Sequence, residues 1–398
     1  VSIGLSRRGR PDTTLLASFD SARGAYTVRY EDEEYVWEPW TNIAVTVIAR
    51  VTFGEIDEWY WYSYTMSPLM SSRQHTNRFG ICYGYPTSTL ANPEGWRAWY
   101  GGLSGKADCG WNDIDASDSP QGALGIPPGS SQGGFSFASY GLPGIVDCYA
   151  TGYAPLDTLR STKYPDEMEQ IRARLGSFQN KAVSGRTLGP VGSPDVDTPI
   201  GVLKRITRYV TEANDLGWLG TGDVAEFLRA RLNACASLLQ AGDIAEAKKQ
   251  LQEMIAHLEE RLASKEIEPE GADLFTLNAQ WVVRHTEETR APQHLAPPIA
   301  QDPARPYYQF RYLAEMVRQC TMLGWLDDRC APDAGTLESL ASSARVAAYG
   351  NDIPKANSLL GPLAEGIKNC TMPSDTAQYA AKHLLSTISE IQEMLKKR

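Results

Sequence analysis

Between Trp59 and Met66 the chain alternates. Trp59, Trp61, Ser63 and Thr65 fall on one side, and Tyr60, Tyr62, Tyr64 and Met66 on the other. The pleat of a β-strand imposes that period of two. The stretches AYTVRY (25–30) and NIAVTVIARVTF (42–53) are similarly rich in β-branched and aromatic residues. Turn signals follow at short intervals: NPEGW, GGLSGK, DASDSPQG, IPPGSSQGG and GLPG. Short strands with frequent Gly and Pro punctuation predict an antiparallel β-sandwich over residues 1–160, with the polar residues 1–24 as an arm or a first strand.

The period then changes. After YPDEMEQIRARL the pattern is helical, and residues 161–199 read as a helix followed by a Gly/Pro-rich linker, GRTLGPVGSPDVDTP. Val224, Phe227, Leu228, Leu232, Cys235 and Leu239 recur at three- and four-residue steps. So do Ile244, Ala247, Leu251, Ile255, Leu258 and Leu262. Ala241-Gly242-Asp243 separates the two runs, with Gly242 suited to ending one helix and Asp243 to capping the next. A closing helix with Leu274, Leu277, Trp281 and Val282 follows Pro269.

The same order then recurs. Leu216-Gly217-Trp218-Leu219 returns 107 residues later as Leu323-Gly324-Trp325-Leu326. Leu337, Leu340, Ala344, Ala347 and Ala348 form the next stripe, Gly350 to Asp352 the turn, and Ile353, Ala356, Leu360, Leu363 and Ile367 the stripe after it. Pro373 precedes a closing helix with Ala377, Ala381, Leu384, Ile388, Ile391 and Leu395. The fold class expected is therefore multidomain α+β with the two kinds of structure segregated: a sandwich, then two repeated all-α bundles. Repeat 1 covers residues 200–289, a Pro-rich linker 290–306, and repeat 2 residues 307–398. In both copies the LGWL motif reads as packing, with Gly turning the chain and Leu, Trp and Leu sealing the junction. Cys330 and Cys370 start and end the second hairpin, so an antiparallel helix pair brings them together as a disulfide; Cys320 is the competing partner.

The segment from Leu216 to about Val283, LGWL…LRARLNACASLLQAGDIAEAKKQLQEMIAHLEERL, resembles the FIMAH-type helical domain of bacterial extracytoplasmic proteins. Residues 307–395 resemble a diverged second copy, and FQNKAVSGRTLGP resembles the linker that often precedes such domains. WYSYTMSPLMSSRQ, NPEGW, IPPG and GGFSFASYGLPG make the N-terminal part similar to sandwich modules of secreted proteins. The resemblance implies a cell-envelope or secreted location and a non-catalytic role, and it brings no catalytic residues.

Composition narrows the partners. The 398 residues carry a net charge of −10, with 42% hydrophobic and 22% charged residues. That balance disfavours nucleic acid and anionic lipid. No run of eighteen apolar residues exists to span a membrane, so any membrane association is peripheral. The start at Val1 fits a chain whose leader has been removed. Seven scattered cysteines in an aromatic-rich chain favour an oxidising, extracytoplasmic compartment, whether periplasm, cell surface or medium.

Candidate chemistry is sparse. Gly129 to Gly133 fit a G-x-S-x-G elbow with Ser131 as nucleophile, but the elbow needs a helix after it and GFSFASY reads as a strand. Asn112, Asp113, Asp115 and Asp118 offer oxygen ligands for calcium without the glycine and distal glutamate of an EF-hand loop. No cofactor and no other metal is expected. Seven of the ten Trp precede residue 112. A sandwich buries one face of each sheet; the other is exposed, covered by the helical half, or used for binding a protein or a glycan. The surface candidates are therefore Trp59, Tyr60, Trp61, Tyr62 and Tyr64, together with Trp96, Trp99 and Tyr100 in WRAWYGG. Their expected partners are other protein subunits or further copies of the chain. The expected role is a structural or protein-binding component of the envelope or a larger assembly. A carbohydrate-binding or adhesin-like surface is the first alternative and a serine hydrolase the second.

Overall fold

A computed structural model describes residues 2–7, 10–21, 25–30, 33–37, 39–55, 58–101, 107–113, 125–153, 182–192, 198–286, 295–296, 306–327, 330, 333–370 and 374–396. Strands come first and helices after, as the change of period requires. The first four strands, β1 (Ser2–Arg7), β2 (Arg10–Asp20), β3 (Ala25–Tyr30) and β4 (Glu33–Trp37), form an antiparallel meander of their own. The sandwich follows. One sheet has the order β5-β6-β11-β8, from Val45–Phe53, Tyr60–Pro68, Gln132–Ser139 and Thr87–Ala91. The other has the order β13-β12-β7-β10-β9, from Val183–Val191, Leu142–Gly152, Thr76–Cys82, Asp108–Asp113 and Trp96–Tyr100.

Two expectations change here. Strands β1–β4 make a separate sheet rather than part of the sandwich. The stretch expected as linker contains β13, which pairs with β12 from Leu142↔Val191 to Ala150↔Val183. Its glycines misled the reading. A Cβ on Gly189 would lie 2.5 Å from Val146 Cγ2, so the small residue is what lets the strand close on its neighbour. The helix expected near residues 164–175 lies outside the described residues.

Aromatic rings fill the space between the sheets. Tyr60, Tyr62, Tyr64 and Met66 point inward from β6 and are fully buried. Phe79 stacks on Trp111 at 5.7 Å, and Tyr62 on Phe137 at 5.1 Å. Two of the buried phenols donate to backbone carbonyls, Tyr62 to Gly141 at 2.7 Å and Tyr64 to Leu188 at 2.9 Å. These bonds make a tyrosine core tolerable, because a buried hydroxyl without a partner is costly.

Eight helices follow among the described residues. Repeat 1 has α1 (Pro199–Asp215), α2 (Gly222–Ala241), α3 (Ile244–Ala263) and α4 (Pro269–His285). Repeat 2 has α5 (Pro306–Met322), α6 (Ala334–Tyr349), α7 (Ile353–Lys368) and α8 (Asp375–Lys396). The LGWL motif does the same work in both. Gly217 (φ 78°) and Gly324 (φ 68°) are left-handed. Behind them Trp218 N–H bonds Ala213 C=O and Trp325 N–H bonds Cys320 C=O, both at 2.9 Å. This is a glycine C-cap that satisfies the last carbonyls of the lead helix. Asp243 and Asp352 cap α3 and α7 alike, accepting from Glu246 and Lys355 backbone N–H. At the preceding turn the copies differ. Gly242 is left-handed in repeat 1, whereas Asn351 rather than Gly350 takes that conformation in repeat 2. Cys330 and Cys370 form a disulfide, and Cys320 is a buried free thiol.

Helices close the open sides of the sandwich. α4 runs along the edge strand β5. Its Glu270 Oε1 accepts from Ala49 N–H at 2.7 Å. Asp273 Oδ2 accepts from Val51 N–H at 2.8 Å and from Arg50 Nε at 3.0 Å. Asn278 Nδ2 donates to Pro143 C=O on β12 at 2.9 Å. On the opposite side α5 meets β8. The Gln319 amide accepts from Thr87 N–H at 2.8 Å and donates to Thr87 C=O at 2.9 Å. Arg318 donates to Tyr100 C=O on β9 at 2.9 Å. Uncovered strand edges are templates for unwanted pairing, and covering them with helices is one remedy.

Burial pushes the carboxyls of both Glu270 and Asp273 above their ordinary range, despite the N–H donors that favour the charged forms. A carboxyl raised on folding binds protons more readily in the folded state. Its contribution to stability is therefore greatest at low pH and falls as pH rises through the raised value. Glu270→Gln, which keeps the acceptor and loses the charge, is expected to gain stability relative to the natural protein as pH rises from about 4 to about 7. Glu270→Ala leaves Ala49 N–H unpaired and is expected to cost about 1–3 kcal/mol. Urea unfolding at several pH values measures both; equal behaviour of the two variants would contradict the assignment. Reduction of Cys330–Cys370 is expected to cost repeat 2 up to about 4 kcal/mol while repeat 1 keeps its stability, read by calorimetry with and without reductant.

Candidate functional surface

The inward side of β6 is settled by what faces it. Tyr60, Tyr62 and Tyr64 are 1%, 0% and 1% exposed, so the three rings belong to the core and leave the set of surface candidates. Trp96 is also buried, packing edge-on to Phe135 at 4.9 Å. Arg284 donates to Tyr60 Oη at 3.4 Å while its guanidinium covers Phe53 at 4.0 Å. The outward side of β6 keeps Trp59 and Trp61, both half-buried. Trp59 meets Trp61 edge-on at 6.1 Å and Tyr140 at 6.3 Å. Ile48 on the neighbouring β5 is exposed. This is the aromatic face that the sandwich leaves outward.

Trp99 and Tyr100 have structural employment. Across β9, β10, β7 and β12 the residues Trp99, Gly110, Gly80 and Tyr149 stand in one row. A Cβ on Gly110 would lie 2.6 Å from Trp99 Cζ2, and one on Gly80 would lie 2.3 Å from Tyr149 Cζ. The two rings thus rest on paired glycines, an arrangement that restores packing where glycine has no side chain. The Arg78 guanidinium stacks on Trp99 at 4.4 Å. A sugar would have to displace it, which counts against Trp99 as a stacking platform. Tyr149 Oη donates to the buried Asp108 carboxylate. Burial and this acceptor hold the Tyr149 phenol far above its ordinary range. Desolvation lowers Arg78, opposed by Tyr149 and Asp108. The Tyr100 phenol donates to Thr87 C=O at 3.2 Å, within the junction that α5 covers.

The remaining candidates are placed as follows. Ser131 is exposed in the turn before strand β11, and its Oγ accepts from Ser67 Oγ at 2.9 Å. A hydroxyl cannot act as the general base that a serine nucleophile needs, and no helix follows. Asp113 ends β10 and is buried, while Asp115 and Asp118 lie outside the described residues. Among the described residues no group of three His, Cys, Asp or Glu side chains is placed to hold a metal ion. Cys109 and Cys148 flank Ile81 across three strands, and burial raises both thiols, Cys148 to about 12. Such thiols are inert packing groups rather than nucleophiles.

Sequence reasoning missed the docking residues. Glu270 and Asp273 look like ordinary acids of a helix start, and Gln319 like a polar position in an amphipathic helix. Their role depends on a strand far away in sequence, for which the local pattern carries no signal. No family model matches the chain, and no curated protein sequence matches it.

Core placement of the tyrosines makes a direct prediction. Tyr62→Ser opens a cavity and leaves Gly141 C=O unpaired, so it is expected to cost about 3–5 kcal/mol in urea unfolding. A loss below about 1 kcal/mol would return the ring to the surface set.

Proposed function

We propose that the chain is a non-catalytic structural component that binds other protein subunits or further copies of itself within an extracytoplasmic assembly. The observation that carries this reading is the N-terminal meander. Its outer strands β1 and β4 each pair on one side only among the described residues, whereas helices cover the β5 and β8 edges of the sandwich. An open antiparallel edge is a site for adding a strand from another chain. Phe19 on β2 adds an exposed ring, 5.0 Å from Tyr26 on β3. The outward Trp59 and Trp61 supply a second contact of the kind that anchors protein interfaces.

Two further observations support the location. The Cys330–Cys370 disulfide suits an oxidising compartment. The resemblance of the LGWL-containing helical segment to FIMAH-type domains of exported proteins points the same way. No described helix is long and apolar enough to cross a membrane.

Removal of residues 1–38 tests the reading. The shortened chain is expected to lose association in sedimentation velocity or in capture from its native extract, while the melting of sandwich and bundles is unchanged. Association equal to that of the whole chain would overturn it.

A further inference from the structure

The two repeats share a build but join the sandwich differently. Repeat 1 is fused to it: Tyr62, Val146 and Leu188 lie in one hydrophobic cluster with Val202, Leu274 and Phe275. Repeat 2 has a core of its own, which includes Leu295, Ala296, Phe310, Leu337 and Leu384. Among its described residues, Met322 and Leu323 pack against the larger cluster, and Trp325 meets Tyr85 edge-on at 5.8 Å. The rest of the junction is polar. Among the described residues it includes the paired Gln319–Thr87 bonds and the Arg318–Tyr100 bond. Glu315, one turn before Gln319, acts electrostatically on Tyr83 and Tyr100; burial pushes its carboxyl up, opposed by Arg318, Arg345 and Arg311 and by a hydrogen bond with Gln319.

The Gln319 contact has a recognisable form. Its amide gives and takes one hydrogen bond with the same residue, as a facing residue does in the hydrogen-bonded pair of an antiparallel ladder. A side chain thus stands in for the next strand beside β8. One side chain is more easily withdrawn than a strand, and small polar interdomain contacts resemble transient interfaces.

We propose that repeat 2 is a lid on the β8/β9 side of the sandwich, which lifts as a folded unit while repeat 1 stays in place. Lifting uncovers Thr87 N–H and C=O at the β8 edge, the backbone groups against which an extended peptide would add as a strand, and frees Tyr100 C=O on β9 of the other sheet. This inference does not depend on the function proposed above. Thr87 N–H reports the closed lid, and Ala49 and Val51 N–H report the fused side.

Amide hydrogen exchange of the full chain tests the lid. The Thr87 amide is expected to exchange at least about tenfold faster than those of Ala49 and Val51. Arg318→Ala, which removes a contact at Tyr100 and none at Thr87, is expected to speed Thr87 exchange further. It should leave the amides of Leu360 and Leu363 within α7 unchanged. Three outcomes overturn the proposal. Thr87 could exchange in step with Ala49, it could ignore the Arg318 substitution, or α7 could loosen together with Thr87, which would mean unfolding instead of lifting.

Discussion

The attachment of the helical half to the sandwich depends on one requirement: where helices cover the edge strands β5 and β8, their outward backbone groups need partners. Two sheets packed face to face bury their inner faces but leave open sides. Water can satisfy those edges only where they stay wet. Here α4 and α5 cover the β5 and β8 edges, so the helices must also supply the hydrogen bonds there. Glu270 and Asp273 do so as acceptors for two N–H groups of β5, and Gln319 as both acceptor and donor for Thr87 of β8. The carboxylates are an expensive choice, since burial disfavours their charge, as the upward shift of both shows. What offsets the cost is an N–H donor for each and the Arg50 guanidinium beside Asp273.

From that requirement follows a division of labour between copies of a duplicated unit. Both repeats fold by the same local rules, with a glycine cap at LGWL and an aspartate cap on the second helix of the hairpin. One copy gives its closing helix to the β5 side and merges its core with the sandwich. The other gives its lead helix to the β8 side and keeps its core separate, with a disulfide across its hairpin. Duplication thus provides two bundles of equal build, and a few side chains decide how firmly each is attached.

Much of this build was legible in the residues. Periods of two and of three to four separated strands from helices, and the spaced LGWL motifs exposed the repeat. Facing cysteines at the ends of one hairpin indicated the disulfide. The misreadings have a common physical cause, which is that local pattern does not contain the tertiary partner. Alternation at Trp59–Met66 revealed two faces but could not say which one the second sheet would cover. The tyrosine side is the inner one, and Tyr62 and Tyr64 find hydroxyl partners in the carbonyls of Gly141 and Leu188, far along the chain. Glycines at 185 and 189 looked like a linker because close strand approach and loop flexibility use the same residue. The docking acids and Gln319 were silent for the same reason. The aromatic surface expected to bind partners is thereby reduced to the Trp59 and Trp61 side of the sheet.

The central claim is that buried helix carboxylates terminate the β5 edge. Carbon-13 NMR titration of the Glu270 and Asp273 side-chain carboxyls, followed together with the backbone amides of Ala49 and Val51, tests it most directly. The account predicts that both carboxyls titrate above the ordinary carboxylate range and that the Ala49 and Val51 amide shifts follow those same transitions. Carboxyls that titrate at ordinary values, with amide shifts that ignore them, would contradict it.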